Sequence, residues 1–222
     1  MFTGLVETVG RVRSVSAESG GVTRLTIHAP GMRRLPGLGD SVCVSGVCLT
    51  AVDVRGDVFS AQAMAETQRA SKLGRIKAGD SVNLESSLRP EDGLHGHFVL
   101  GHVDEAGRVI RVERAGSTCK IWVSVSEGIA WGIAGKGSIA LDGVSLTVID
   151  SHETEFSVGI IPATLEGTTL GLLEAGDWIN VEVDVLARYA ARLLGPKAEE
   201  ARRRRGTGGA LTFEKLAKYG WL

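Results

Sequence analysis

Apolar residues in this chain come in short runs rich in Val, Ile, Leu and Thr, interrupted again and again by glycine. Glycine enters positive φ at little cost, so the pattern predicts many short strands joined by tight turns, as in a barrel or a sandwich. Ala78 to Asp80 and Ala175 to Asp177 read as ordinary Ala-Gly-Asp turns ahead of alternating strands. Helical spacing of useful length appears only near the end, where Val185, Leu186, Tyr189, Ala190, Leu193 and Leu194 recur on one face and predict a closing helix. No apolar run is long enough to span a membrane, and the start MFTGLVETVGRV lacks the basic opening and apolar stretch of a signal peptide.

The runs repeat. GDSVCVSGVCLTAVD at 39–53 aligns with KGSIALDGVSLTVID at 136–150, pairing Ser41 with Ser138, Gly46 with Gly143, Leu49 with Leu146, Thr50 with Thr147 and Asp53 with Asp150, always 97 positions apart. The same offset pairs LGRIKAGDSVNLE at 73–85 with LGLLEAGDWINVE at 170–182, and Gly4, Val6 and Gly10 with Gly101, Val103 and Gly107. A period of this length is too long for a solenoid unit and suits a small closed barrel, whose closure removes sheet edges. The expected organisation is therefore a barrel over 1–96, a second over 97–186, and a helical tail over 187–222.

Composition narrows the partners. The 25 basic and 26 acidic residues nearly cancel, so no global field favours nucleic acid or an anionic membrane. The Arg202 to Arg205 run reads as a solvated helix end before the flexible Gly206 to Gly209 stretch. Cys43, Cys48 and Cys119 are an odd number without a CxxC pair, which argues against a disulfide framework and for a reducing, cytoplasmic setting. His95, His97 and His102 lie close in sequence, but no acidic or cysteine ligand at diagnostic spacing completes a metal site, so no metal is expected.

MFTGLVETVG, GVCLTAVD, GHFVLGHVDEAG, LDGVSLTVID and IPATLEGTTLG together resemble the riboflavin synthase α-chain family over about residues 1–190, and the ending GGALTFEKLAKYGWL is also similar. The resemblance implies an all-β fold of two six-stranded antiparallel Greek-key barrels with a C-terminal helix that assembles a homotrimer. It also implies a substrate, 6,7-dimethyl-8-ribityllumazine. One lumazine gives a four-carbon unit to another, yielding riboflavin and a ribitylaminopyrimidinedione without net redox change, so no cofactor is required. Association with lumazine synthase is left open. Bringing two reactants into an oriented pair contributes roughly 7–11 kcal/mol in favourable systems.

The resemblance also assigns residues. Cys48, Leu49 and Thr50 in one repeat match Ser145, Leu146 and Thr147 in the other, similar but chemically unequal. Cys48 and Ser41 are expected to act on one ring, and His102 and Thr147 to serve proton transfer; an imidazole titrates near neutrality. Gly4, Leu5 and Val6, with Gly101, His102 and Val103, are expected to recognise ring edges through backbone groups. The segments Gln62, Ala63, Met64, Ala65, Glu66, Thr67 and Ile161, Pro162, Ala163, Thr164, Leu165, Glu166 are likewise expected to bind, with Thr67 paired to Thr164, Glu66 available for ribityl hydroxyls and Glu166 a weaker candidate. Lys136 is expected to reach across a subunit boundary. The chain departs from the family pattern at His95, Leu100 and Gly167, which bears on the rim of the site. The bland alternatives are a core role for Cys48, turn or core hydrogen bonds for the histidines, and solvated loops for the rest. Two functional rivals remain at this level, a non-catalytic lumazine or flavin carrier and a flavin-dependent reductase. The second lacks any GxGxxG segment between a strand and a helix.

Overall fold

The computed structural model describes residues 1–194. Six strands form the first half: β1 (Thr8–Ala17), β2 (Thr23–His28), β3 (Ser41–Val44), β4 (Val47–Arg55), β5 (Val58–Ala63) and β6 (Ser81–Ser86). They close as β1-β2-β5-β4-β3-β6, with β6 returning to pair with β1. Six more form the second half: β7 (Glu105–Ala115), β8 (Thr118–Ser124), β9 (Ser138–Leu141), β10 (Val144–Ser151), β11 (Glu155–Ile160) and β12 (Trp178–Val183). Their order, β7-β8-β11-β10-β9-β12, is the same permutation, and every strand pair is antiparallel. Even the irregularities repeat: register shifts between Val12 and Ser14 in β1, and between Val109 and Arg111 in β7, at positions 97 apart.

Short helices α1 (Ala65–Ala70), α2 (Glu127–Ala130) and α3 (Pro162–Gly167) fill connections. The expected closing helix is α4 (Val185–Leu194), beginning two residues before the tail boundary read from sequence, while the rest of that tail lies outside the described residues. Among the described residues no helix is long and apolar enough to cross a membrane.

Alternation decides which face is core. In the β3–β4 hairpin Val42, Val44, Val47 and Leu49 are buried in the first barrel with Leu25, Ile27, Phe59 and Leu84, so Ser41, Cys43, Cys48 and Thr50 face outward. The hairpin turns at Ser45-Gly46, with φ of 44° and 84°, and the matching turn at Asp142-Gly143 has 47° and 79°. These are the doubly left-handed turns that suit a twisted two-residue hairpin. The two turns meet: a Cβ on Gly46 would stand 2.7 Å from the Gly143 nitrogen, so neither glycine can be enlarged without parting the barrels.

Polar groups finish the seam between the barrels. Asn83 donates its amide to the Asp142 carbonyl at 3.0 Å and accepts from Thr169 N at 2.8 Å. Asn180, its repeat partner, donates to the Ser45 carbonyl at 2.7 Å and accepts from Lys72 N at 2.7 Å. Every buried amide atom of the pair thus has a partner, as a buried polar group requires. The symmetry breaks where Lys72 meets the fully buried Asp142 in an ion pair, because their repeat counterparts are Thr169 and Ser45.

Candidate functional site

The residues expected to recognise ring edges bridge the two barrels. The segment leading into the first barrel crosses to the second: the Gly4 carbonyl accepts from Ser145 N at 2.8 Å. Reciprocally, the Gly101 carbonyl accepts from Cys48 N at 2.8 Å, and Val103 packs against the first barrel's core. The two leads are tied to each other by Phe2 N to Val99 O at 2.7 Å and Val99 N to Phe2 O at 3.1 Å. Close approach explains the glycines. A Cβ on Gly101, at φ +78°, would lie 2.6 Å from Cys48 Cβ and 2.7 Å from its nitrogen; Gly4, also at +78°, has the same relation to Ser145.

A buried carboxylate clamps each lead. Glu85 accepts from Thr3 N and Thr3 Oγ1, both at 2.7 Å, and from Gly4 N at 3.1 Å. Glu182, 97 positions on, accepts from Leu100 N at 2.7 Å, Gly101 N at 3.0 Å and His102 N at 3.1 Å. Burial pushes the Glu85 carboxyl up to about 7, against the opposing pull of its three donors. Glu85 and Glu182 were not singled out from sequence, although both sit in the aligned NLE and NVE segments, where the offset of 97 could have flagged them.

Two outward-facing polar rows result. In the first barrel Ser41 lies opposite Thr50, Cys48 is opposite Cys43, and Thr50 is also opposite Gln62 on β5. Ser41, Cys48 and Gln62 are half-buried and Thr50 is exposed. In the second barrel Ser138 lies opposite Thr147 and Ala140 opposite Ser145, with Ser145 and Leu146 half-buried and Thr147 exposed. Leu49 points inward and is core.

Beyond β5, Ala63 is buried, Met64, Ala65 and Glu66 are exposed on the way into α1, and Thr67 gives its carbonyl to Ser71. Glu66 is paired with Arg69, and Gln62 donates to Glu18. In the second barrel Ile161, Pro162, Ala163 and Glu166 are exposed and Thr164 and Leu165 half-buried around α3. Lys136 is exposed in a turn at φ 64°. Exposed Leu5, Met64 and Ile161 give both rims apolar surface. A groove of about 330 Å³ runs beside Leu5 and Val6, bounded by Glu7, Arg34 and His95, and another of about 460 Å³ lies by Glu18 and Ala65. A third, about 390 Å³ between Arg75, Asp80 and Trp178, contains none of the expected site residues.

The histidines separate. His102 is exposed; Glu182 holds its backbone N–H, and the carbonyl of Gly101 just before it accepts from Cys48 N of the first barrel. His97 is buried, and its Nδ1 lies 2.7 Å from Ser145 Oγ. Burial holds the His97 imidazole below its ordinary range, which favours the neutral ring. Sequence offered a turn or core hydrogen bond as one role for His97 but not its partner, which lies 48 residues away. His95 is exposed. Among the described residues no group of three or more His, Cys, Asp or Glu is placed to hold a metal ion.

Duplicated barrels with exchanged leads and outward polar rows define a tandem pair of lumazine-binding domains, and residues 3–87 and 100–184 each match that domain. The chain belongs to the riboflavin synthase family. Riboflavin synthase of Mycobacterium bovis is 41% identical over 198 residues, covering 87% of this chain and 98% of that protein. The riboflavin synthases of Actinobacillus pleuropneumoniae and Bacillus subtilis are 35% and 33% identical, each covering 87% of this chain and 90% of its own length. Among solved structures, LumP complexed with riboflavin superposes with a TM-score of 0.74 at 25% identity, covering 82% of this chain and 99% of LumP.

Proposed function

We propose that this chain is a riboflavin synthase that converts two molecules of 6,7-dimethyl-8-ribityllumazine into riboflavin and 5-amino-6-ribitylaminouracil. The observation that carries the reading is that both barrels keep a complete polar row under a clamped lead, Ser41, Cys48 and Thr50 in one and Ser138, Ser145 and Thr147 in the other. A carrier needs one competent pocket. A reaction between two like molecules needs two, and unequal ones.

Each row holds one lumazine, with the ring edge on the lead's backbone and the ribityl chain toward α1 or α3. The two rings come face to face between the first barrel of one subunit and the second barrel of its neighbour, with Lys136 reaching across. Cys48 and Ser41 act on one ring, and His102 with Thr147 moves the proton released from the acidic methyl group of the other. Such general acid or base help contributes about 10² to 10⁴ in rate, added to the gain from enforced proximity. The transfer is intermolecular and balanced in carbon, nitrogen and hydrogen, and no external electron carrier enters it. Leu186, Tyr189 and Leu193, exposed on one side of α4, support a trimer assembled through this helix. A cytoplasmic location agrees with an odd number of cysteines and no CxxC pair.

The test is direct: purified protein is mixed with ribityllumazine and the absorbance is followed. Conversion to the riboflavin spectrum with equimolar pyrimidinedione is expected. Tight binding without turnover would establish the carrier instead.

A further inference from the structure

Cys43 and Cys48 face each other across β3 and β4, and the hairpin geometry fixes how closely. The two-residue Ser45-Gly46 loop makes Val44 and Val47 the hydrogen-bonded pair that closes the hairpin, so the next pair, Cys43 with Cys48, is non-hydrogen-bonded. An independent contact agrees. The Cys48 N–H points away from β3 and donates to the Gly101 carbonyl at 2.8 Å. Non-hydrogen-bonded pairs bring Cα atoms to about 4.5 Å with side chains on one face. Disulfides require Cα separations of roughly 4.4–6.8 Å.

Both thiols lie on the outer face, where the leads cover them. Cys43 is buried in the seam with Phe2, Val99 and Ala140, and Cys48 packs at the edge of that cluster, half-exposed. The arrangement belongs to one barrel alone, because the matching pair in the second barrel is Ala140 and Ser145. Cys119 on β8 faces Arg114 and Ile160 and has no cysteine opposite it.

We propose that Cys43 and Cys48 form an oxidative modification site, at which a peroxide converts Cys48 to a sulfenic acid and Cys43 then closes a reversible cross-strand disulfide. The steps balance. The Cys48 sulfur takes one oxygen from hydrogen peroxide and water leaves; the Cys43 sulfur then displaces the hydroxyl of the sulfenic acid, an S–S bond forms and a second water leaves. In sum two thiols are oxidised and one peroxide is reduced. Cys48 reacts first because it is the more exposed, while burial pushes the Cys43 thiol well up and keeps it unreactive toward peroxide. The disulfide protects Cys48 from further oxidation and withdraws its thiol from the row it shares with Ser41 and Thr50. Formation of the bond is independent of the proposed catalysis, and only its effect on turnover rests on that reading.

The experiment treats the full chain with hydrogen peroxide, alkylates the remaining thiols under denaturing conditions, and maps the tryptic fragment between Arg34 and Arg55, which carries both cysteines. The expected product is that fragment lacking two hydrogens and unalkylated, with Cys119 still alkylated, and with dithiothreitol restoring both thiols and turnover. Cys43→Ala copies the residue found at the matching position of the second barrel and is expected to keep basal turnover. Under peroxide its Cys48 is expected to advance to a sulfinic acid that dithiothreitol does not reverse. A fragment that retains two alkylatable thiols while Cys119 is consumed, or wild-type Cys48 reaching the sulfinic acid as readily as in C43A, overturns the proposal. If the disulfide forms in protein that shows no turnover even when reduced, the functional reading fails and this one stands.

Discussion

Replacing Gly101 by alanine tests whether the exchanged leads build the site. Alanine at φ +78° carries a left-handed cost of about 1–2 kcal/mol. The new methyl would also stand 2.6 Å from Cys48 Cβ, 2.7 Å from Cys48 N and 3.0 Å from Cys48 Cα. Two of those atoms are backbone of a paired strand, so the lead has to move. Moving it breaks the Cys48 N to Gly101 O bond, worth about 0.5–1.5 kcal/mol, and loosens the grip of Glu182 on Gly101 and His102. Together these give a loss of roughly 2–4 kcal/mol, within what a folded domain of about 5–15 kcal/mol survives. Urea denaturation reads the stability and lumazine turnover reads the site. The control is Gly56→Ala, with φ +59° and nothing within 4 Å of its Cβ, which carries only the conformational cost. G101A is expected to be less stable than G56A by about 1–2 kcal/mol and to lose at least about tenfold in kcat/KM, equivalent to roughly 1.4 kcal/mol of transition-state binding, while G56A keeps full turnover. Equal stability and full turnover in G101A would mean that the lead is not part of the site.

Further outcomes follow from other contacts. Glu85 holds its proton more tightly folded than unfolded, so it lowers stability as pH rises from about 4.5 to about 7 and contributes no slope beyond. The span is worth about 3 kcal/mol, and Glu85→Gln should flatten urea-derived stability across that window; parallel wild-type and variant curves would refute the assignment. Lys72→Thr should destabilise by about 3–5 kcal/mol because it strands the buried Asp142 carboxylate. Adding Asp142→Ser, which restores the Ser and Thr found on the other side of the seam, should recover most of that in the same melts, and a double variant no better than K72T would count against a seam role. His97→Ala should lower turnover by removing the partner of Ser145 while leaving flavin-product binding at the first barrel unchanged; an equal loss at both sites, read by titration, would contradict the pairing.

The doubled barrel was legible because both signals that specify it survive in one dimension. Glycine-broken β runs mark the strands, and an offset of 97 held from Gly4 to Glu182 marks the copies. The outward rows were reached through the family resemblance and not through alternation, although Ser41, Cys48 and Thr50 fall between core positions Val42, Val47 and Leu49. The exchange of leads was not legible. A reciprocal swap maps onto itself under the repeat, so Gly4 aligns with Gly101 whether each lead stays home or crosses. The clamps were hidden for a different reason. A glutamate in an alternating strand reads as a solvent-facing residue, and the donors that satisfy Glu85 and Glu182 come from the leads, about 80 residues away in sequence.

The copies differ in their cores, where Ala61 and Ala63 stand against Val158 and Ile160, and also on the surfaces that face the other barrel or the outer groove. Leu5 became His102, Cys48 became Ser145, Cys43 became Ala140, and Ser45 with Thr169 stands against Asp142 with Lys72. The bridging then has a chemical consequence: the lead that carries His102 is clamped by Glu182 of the second barrel and is bonded as well to Cys48 of the first. On the proposed reading the Cys48 thiol and the lead that carries the His102 imidazole serve one site, and the opposite site receives the lead of Leu5 with Ser145, which contacts the buried His97. In that reading the two sites are unequal, one holding a thiol and an imidazole and the other weaker hydrogen-bonding groups, the inequality that the proposed transfer between two identical molecules requires.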